Sequence, residues 1–464
     1  MSIVVLTASL KIKVETDITK SDYAEPEAQL AIKKGTILEP HSSYTQFLSK
    51  GDALADENFF DAAAIQYRAA IDLNPELPHG YNRLGEARYA QASYTQAEEA
   101  YKKAIELQTD EISAHIGLGK TYLRLKQFEA AQNHFNSIEE ESSLVLYYRG
   151  ILAAFHGEYD ISKNHLDQVI AKADDPTLNQ YTLNYLSAFR EEELAQDSHP
   201  AFLKTLLGRS FTETGENDLA IALLYDVLRD EEDYRDAWII LGYAYLSEEK
   251  FSDARDALFN AIELDPTKPE SRYFLGLSYF GLEDYSSAVT QIKLALESGF
   301  EPQIQAHQKL GDAAVLAEDY QEAANAYESV LVLNASDIEL FIRPIWINLD
   351  HLNAPKRALE IANEAIRNHP NHAMSYNLLG WTQLKNNQIQ EANESLQLAL
   401  TLDPNLAAAH FNLGQWHEAN EDILAAKESY KKAYDLEPNG AIGGPAADAY
   451  NRLMIEFPET EALP

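Results

Sequence analysis

Apolar residues recur at intervals of three and four through most of this chain, the spacing of one face of a helix. The stretches come in pairs, each pair divided by a short polar turn such as Ala55-Asp56-Glu57-Asn58 or Ser247-Glu248-Glu249-Lys250. Paired amphipathic helices joined by short turns predict antiparallel helical hairpins. Proline closes several pairs, at Pro75, Pro266, Pro370, Pro404 and Pro438, because it cannot continue a helix and readily opens the next one.

The pairs repeat in register. A glycine is followed twelve residues later by alanine in Gly51/Ala63, Gly85/Ala97, Gly119/Ala131, Gly208/Ala220, Gly242/Ala254, Gly276/Ala288, Gly311/Ala323, Gly380/Ala392 and Gly414/Ala426. Gly150/Ser162 and Trp346/Ala358 are divergent versions, which makes eleven units, most of them 34 residues apart. Four residues after the small slot stands an aromatic or leucine (Tyr67, Tyr101, Phe135, Leu258, Tyr327, Leu396, Tyr430). Three later comes a small residue again (Ala70, Ala104, Ala261, Ala295, Ala399, Ala433). Small residues let two helices approach, and the large ones fill the space between hairpins. Ala237 to Pro266 matches nearly every slot. Here the chain resembles the tetratricopeptide repeat family, with its W-x2-L-G-x2-Y…A-x3-F…P pattern, from about residue 42 to residue 440. The resemblance implies an all-α fold, a right-handed α-solenoid of antiparallel helical hairpins.

Two places break the period. Gly150 and Gly208 are 58 apart, 24 more than one unit. The surplus, beginning at Pro176, has helical spacing but no hairpin signature, so it reads as an unpaired helix that redirects the array. Pro344 falls inside a first helix, where it removes a hydrogen bond and should kink or shorten that helix. The expected organisation is an N-terminal arm, extended or disordered, at 1–41; four repeats at 42–175; the unpaired helix at 176–198; seven repeats at 199–440; and a capping helix and tail at 441–464. Within the arm, Leu10 to Glu15 alternates apolar and polar residues like an exposed strand.

Composition narrows the function. The chain has 464 residues, too many for one compact core but not for stacked repeats, each of which needs only its neighbours. Its 74 acidic and 37 basic side chains give a net charge of −37, which repels nucleic acid and anionic lipid and favours a basic partner. Cysteine is absent, which excludes disulfides and thiolate chemistry and leaves the compartment open between cytoplasm and export. No apolar run approaches a membrane span, and the N-terminus lacks the basic flank of a signal peptide. The phosphate-binding, zinc-hydrolase and serine-hydrolase motifs are missing, so no enzyme activity and no cofactor is expected. His369 and His372 flank a turn but make an incomplete metal site.

What remains is binding. In arrays of the resembled family the first helix of each hairpin lines a concave groove that takes peptides or helices. Mapped onto this sequence, that face carries Tyr147, Ile151, Phe202, Ile239, Tyr243, Leu246, Tyr273, Leu277 and Phe280, then Leu340, Ile347 and Trp381. Contiguous apolar and aromatic surface marks an interaction site. The expected function is therefore a protein–protein interaction scaffold holding a protein or peptide partner, basic or with apolar and aromatic anchors, in a groove centred on residues 200–280. Self-assembly end to end, or through the N-terminal arm, is the alternative. The chaperone-tail clamp of the family is not matched, since its positions hold Leu48, Asp52, Arg83, Ser113 and Gly117. The groove asparagines Asn82, Asn377 and Asn412 stand isolated in the sequence.

Overall fold

The computed structural model describes residues 40–195 and 199–458; the proposed N-terminal arm lies outside them, except that Pro40 opens the first helix. The described residues form α-helices and short helical turns, with no strand among them. The chain divides into two compact units, with the division along the chain between Asp265 and Pro266.

The first unit holds four hairpins, α1 (Pro40–Asp56) with α2 (Phe60–Leu73), α3 (Pro78–Ala90) with α4 (Tyr94–Leu107), α5 (Ile112–Arg124) with α6 (Phe128–Ser137), and α7 (Ser143–Phe155) with α8 (Tyr159–Lys172). A single helix follows, α9 (Pro176–Leu194). Asp175 starts it by accepting from the backbone N–H groups of Thr177 and Leu178, with Pro176 in the first turn. Two more hairpins complete the unit: α10 (Pro200–Glu213) with α11 (Asn217–Asp230), and α12 (Arg235–Ser247) with α13 (Phe251–Leu264). The single helix lies within the first compact unit. It packs on α7, α8 and α10, with Phe189 against Tyr159 and Tyr185 against Phe211.

The second unit begins with α14 (Pro269–Gly281) and α15 (Tyr285–Glu297), then α16 (Gln303–Leu316) and α17 (Tyr320–Leu333). Its third first-helix is broken into a 3-10 turn (Ile338–Phe341), the short α18 (Ile342–Trp346) and a π turn (Ile347–His351) before α19 (Pro355–Asn368). Then come α20 (Ala373–Lys385) with α21 (Ile389–Leu402), α22 (Ala407–Ala419) with α23 (Ile423–Leu436), and a final helix α24 (Gly443–Glu456). Leu453 of that helix packs on Ala426 and Tyr430, covering the last hairpin.

The repeated slots are the core. Ala63, Ala97, Ala131, Ala220, Ala254, Ala288, Ala323, Ala392 and Ala426 are fully buried. A Cβ added at Gly85 would stand 2.7 Å from the Tyr101 ring, so the glycine is what lets the second helix of its hairpin close on the first. The turns share a feature that the slots do not announce. Seven residues after each glycine-slot position, the backbone of all eleven units is left-handed: Asn58, Ala92, Lys126, Gly157, Gly215, Glu249, Glu283, Glu318, Asn353, Asn387 and Glu421 have φ between 48° and 82°. Two of these are glycine, for which the conformation carries no Cβ penalty.

Candidate functional site

The turn between α10 and α11, Thr214-Gly215-Glu216, shares a cavity with the first helices of the second, third and fourth hairpins. The cavity has a volume of about 510 Å³, a size suited to a side chain or small ligand group. Tyr89 and Tyr94 wall it from the second hairpin, Lys120 and Arg124 from the third, Tyr147 and Tyr148 from the fourth, and Tyr181 from the single helix.

Each wall is fixed from behind. Tyr148 stacks on Phe135 at 4.7 Å between ring centres, and Tyr147 meets Tyr185 edge-on at 6.1 Å. The Tyr185 hydroxyl is 2.6 Å from Thr214 Oγ1, which itself donates to the Ser210 carbonyl, so the single helix grips the turn that carries Glu216. Burial raises the pKa values of Tyr147, Tyr148 and Tyr185, which keeps all three hydroxyls protonated as donors.

Across the same space run ion pairs joining segments far apart in sequence. Arg124 Nη1 is 3.0 Å and Lys126 Nζ 3.7 Å from Asp218; Arg124 Nη2 lies 3.7 Å from Glu248. Arg124 Nε also donates to the Tyr94 hydroxyl at 3.2 Å, and Asn217 donates to Glu248 at 2.9 Å. The third hairpin is tied in this way to the fifth and sixth.

Glu216 is the exception in this balanced cluster. Among the described residues no cation stands within ion-pair distance of it. Burial pushes its pKa up to about 7, against the pull of Lys120, a hydrogen bond from Tyr148, and Arg124. Lys120 lies over the Tyr89 ring, 5.4 Å from its centre, and likewise makes no ion pair among the described residues. A carboxylate held near neutrality in a cavity is a characteristic of sites that exchange protons or bind ligands.

The residues mapped to the groove fall differently. Tyr147 lines the cavity with only 2% of its surface exposed. Ile151, Ile239, Tyr243 and Leu246 are buried in the first unit, and Leu277 in the second. These positions pack against neighbouring helices and provide core rather than open surface. Phe202 and Trp381 are half-buried, Trp381 against the packed residues around Ile338–Leu378. Tyr273 stacks on Phe300 at 4.1 Å, and Phe280 sits beneath Lys309, 4.5 Å from its ring centre. Ile347 is buried and Leu340 half-buried.

Other candidates have structural roles. His369 Nε2 donates to the Ala335 carbonyl at 2.9 Å, and His372 accepts from the Met374 N–H to start α20. No cluster of three or more potential ligands is placed to hold a metal among the described residues. Asn377 and Asn412, isolated in the sequence, meet in a buried hydrogen bond of 2.9 Å. No helix among the described residues is long and apolar enough to cross a membrane.

Tetratricopeptide repeat profiles match residues 48–112, 205–269, 273–338 and 377–441, with further matches at 88–154 and 361–392, together more than half of the chain. The chain belongs to the tetratricopeptide repeat family. Tetratricopeptide arrays of this kind are protein–protein interaction scaffolds. Superkiller complex protein 3 of Mus musculus is 22% identical over 364 residues, 71% of this chain but 23% of that protein. The peroxisomal targeting signal receptor of Saccharomyces cerevisiae is 22% identical over 301 residues, 59% of this chain and 47% of its own. This tetratricopeptide protein thus spans half or less of the length of both relatives. Among solved structures it is similar to YrrB, described as a TPR protein with an unusual peptide-binding site, at 20% identity and a TM-score of 0.28 over 48% of this chain and 97% of that one. The Cut9–Hcn1 structure aligns over 89% of this chain and 96% of that one, at 14% identity and a TM-score of 0.30.

Proposed function

We propose that this protein is a non-enzymatic scaffold that holds a segment of a protein partner in the tyrosine-walled cavity of its first unit. The observation that carries the reading is the convergence there of five first-unit segments on one space, with a half-buried carboxylate that has no ion-pair partner among the described residues. Repeat stacking alone does not require such a carboxylate, and it costs stability unless something binds. The yeast relative is named as a receptor for a targeting signal, which supports the reading.

The test compares proteins captured by the intact chain with those captured by a Tyr89→Ala/Tyr181→Ala variant, both confirmed helical by circular dichroism. Neither ring is fully buried, so the variant should fold. A partner held by the intact protein and lost from the variant is the expected result. Identical capture by both would overturn the reading.

Self-assembly has one observation in its favour. At the end of the second unit Ile455 and Phe457 are 81% and 49% exposed. An end-to-end contact through them would make sedimentation concentration-dependent, and an Ile455→Lys/Phe457→Lys variant would abolish that dependence.

A further inference from the structure

We infer that the cavity is an anchor site for a basic side chain, a guanidinium or ammonium group carried by the bound segment, with Glu216 as its counter-ion. The inference rests on the scaffold reading above and names the chemistry that the site selects.

Three features point the same way. Glu216 is the one acidic group lining the cavity, and Tyr148 lines it beside that carboxylate. A buried carboxylate recovers its lost hydration best from a charged donor. Five tyrosines, Tyr89, Tyr94, Tyr147, Tyr148 and Tyr181, stand among the other lining residues, and aromatic rings attract cations. The site already shows this preference internally, since Lys120 sits over Tyr89 and Arg124 over Tyr94, 5.4 and 5.7 Å from the ring centres. Finally, the net charge of −37 draws cations toward the molecule and repels anions.

The resident cations do not fill the role. Arg124 is committed to Asp218, Glu248 and the Tyr94 hydroxyl. Lys120 contributes to holding Glu216 ionised but stands beyond ion-pair distance. It is therefore a competitor of an incoming cation, and its effect on binding has a defined sign. A basic ligand binds more tightly when Lys120 is removed, whereas an acidic ligand would bind more weakly. The groups facing Glu216 are Lys120, Arg124, Asp218 and Tyr148, so a bound cation should drive Glu216 to ionise and release part of a proton near neutral pH.

The experiment uses the full chain and two probes, N-acetylarginine amide and its uncharged isostere N-acetylcitrulline amide, titrated by NMR or calorimetry. The arginine probe should bind about tenfold more tightly, the scale of one charge-assisted contact. Glu216→Gln should erase that preference, and Lys120→Gln should tighten the arginine probe about threefold. Calorimetry in buffers of different ionisation enthalpy should show proton release with intact protein and none with Glu216→Gln. Glu216→Gln removes a partly desolvated charge, so loss of binding in a protein that melts no lower is not unfolding. Equal binding of the two probes, an unaffected Glu216→Gln variant, or weaker binding in Lys120→Gln would each overturn the inference. If the tyrosine variant loses the partner while the probes bind equally, the anchor chemistry fails and the scaffold reading stands. If the arginine preference holds while the tyrosine variant keeps every partner, the cavity binds cations but is not the partner site.

Discussion

The hairpin of Gly242 and the unit of Trp346 fill the same pair of slots in different ways. In the first, glycine on the leading helix faces Leu258, four residues after the small slot of the second helix. In the other, tryptophan takes the glycine position and the facing slot holds Ala362, fully buried. Trp346 instead packs toward the preceding hairpin, beside Ala323, Ala324 and Tyr327. The helix carrying it breaks into three short pieces around Pro344, and Asn348 caps the damage by donating to the Pro344 carbonyl at 2.9 Å. Ala362 packs instead in a cluster with Ile345 and Leu349 of the broken helix.

Removing the tryptophan should have the largest effect. Trp346→Ala empties the space beside Ala323, Ala324 and Tyr327, and chemical denaturation should show a loss of about 3–5 kcal/mol. Glu216→Gln comes next and tests a position no volume rule explains. Its folded pKa of about 7 lies above the ordinary 4.5, so the proton is bound more tightly in the folded state. That contribution is full below pH 4.5 and is lost as pH rises through 7. The Gln variant should therefore exceed the natural protein in stability by up to about 3 kcal/mol at pH 8 and match it below pH 4.5. Thermal melts across pH measure the difference, and a variant less stable at pH 8 would refute the assigned shift. Smaller again is the effect at Ala362. Ala362→Leu should destabilise by about 1–3 kcal/mol through overpacking against Ile345 and Leu349, and a double-mutant cycle with Trp346→Gly should recover none of it, since Trp346 packs in a separate cluster. The smallest effect separates the turns: Glu249→Gly should stabilise by about 0.5–1 kcal/mol by relieving a left-handed non-glycine residue, while Asn353→Gly gains less because asparagine tolerates that conformation.

The hairpin slots were legible because close approach of two helices admits few residue types, and those types recur at fixed spacing. The turn conformation was harder to see. A left-handed residue is tolerated at the seventh position after each glycine slot whatever its side chain, so Ala92, Lys126 and Glu249 disguise it; Gly157, Gly215, Asn58, Asn353 and Asn387 at that same position are the signal that aligned units contain. The broken helix was announced by Pro344. The cavity was not, since it is shared between the turn at residues 214–216 and helices about a hundred residues earlier. Mapping one face of every first helix as open surface also overlooked how thoroughly neighbouring helices cover Ile151, Tyr243 and Leu246. Tyr147 was found by that mapping, but its partners Glu216 and Lys120 were not, because a lone carboxylate beside a hairpin turn resembles the many solvated ones in so acidic a chain.

The placement of α9 sets unequal terms for how this gene can grow or shrink. Loss or duplication of 34 residues within 373–440 adds or removes one rung and touches none of the side chains around the cavity. The same event at 94–127 deletes Tyr94, Lys120 and Arg124 together, and one that removes 176–194 takes away the segment that grips the turn carrying Glu216. Repeat number in the distal part of the array is therefore open to drift among descendants of this sequence, while the stretch from the second hairpin to the fifth must be inherited as a block.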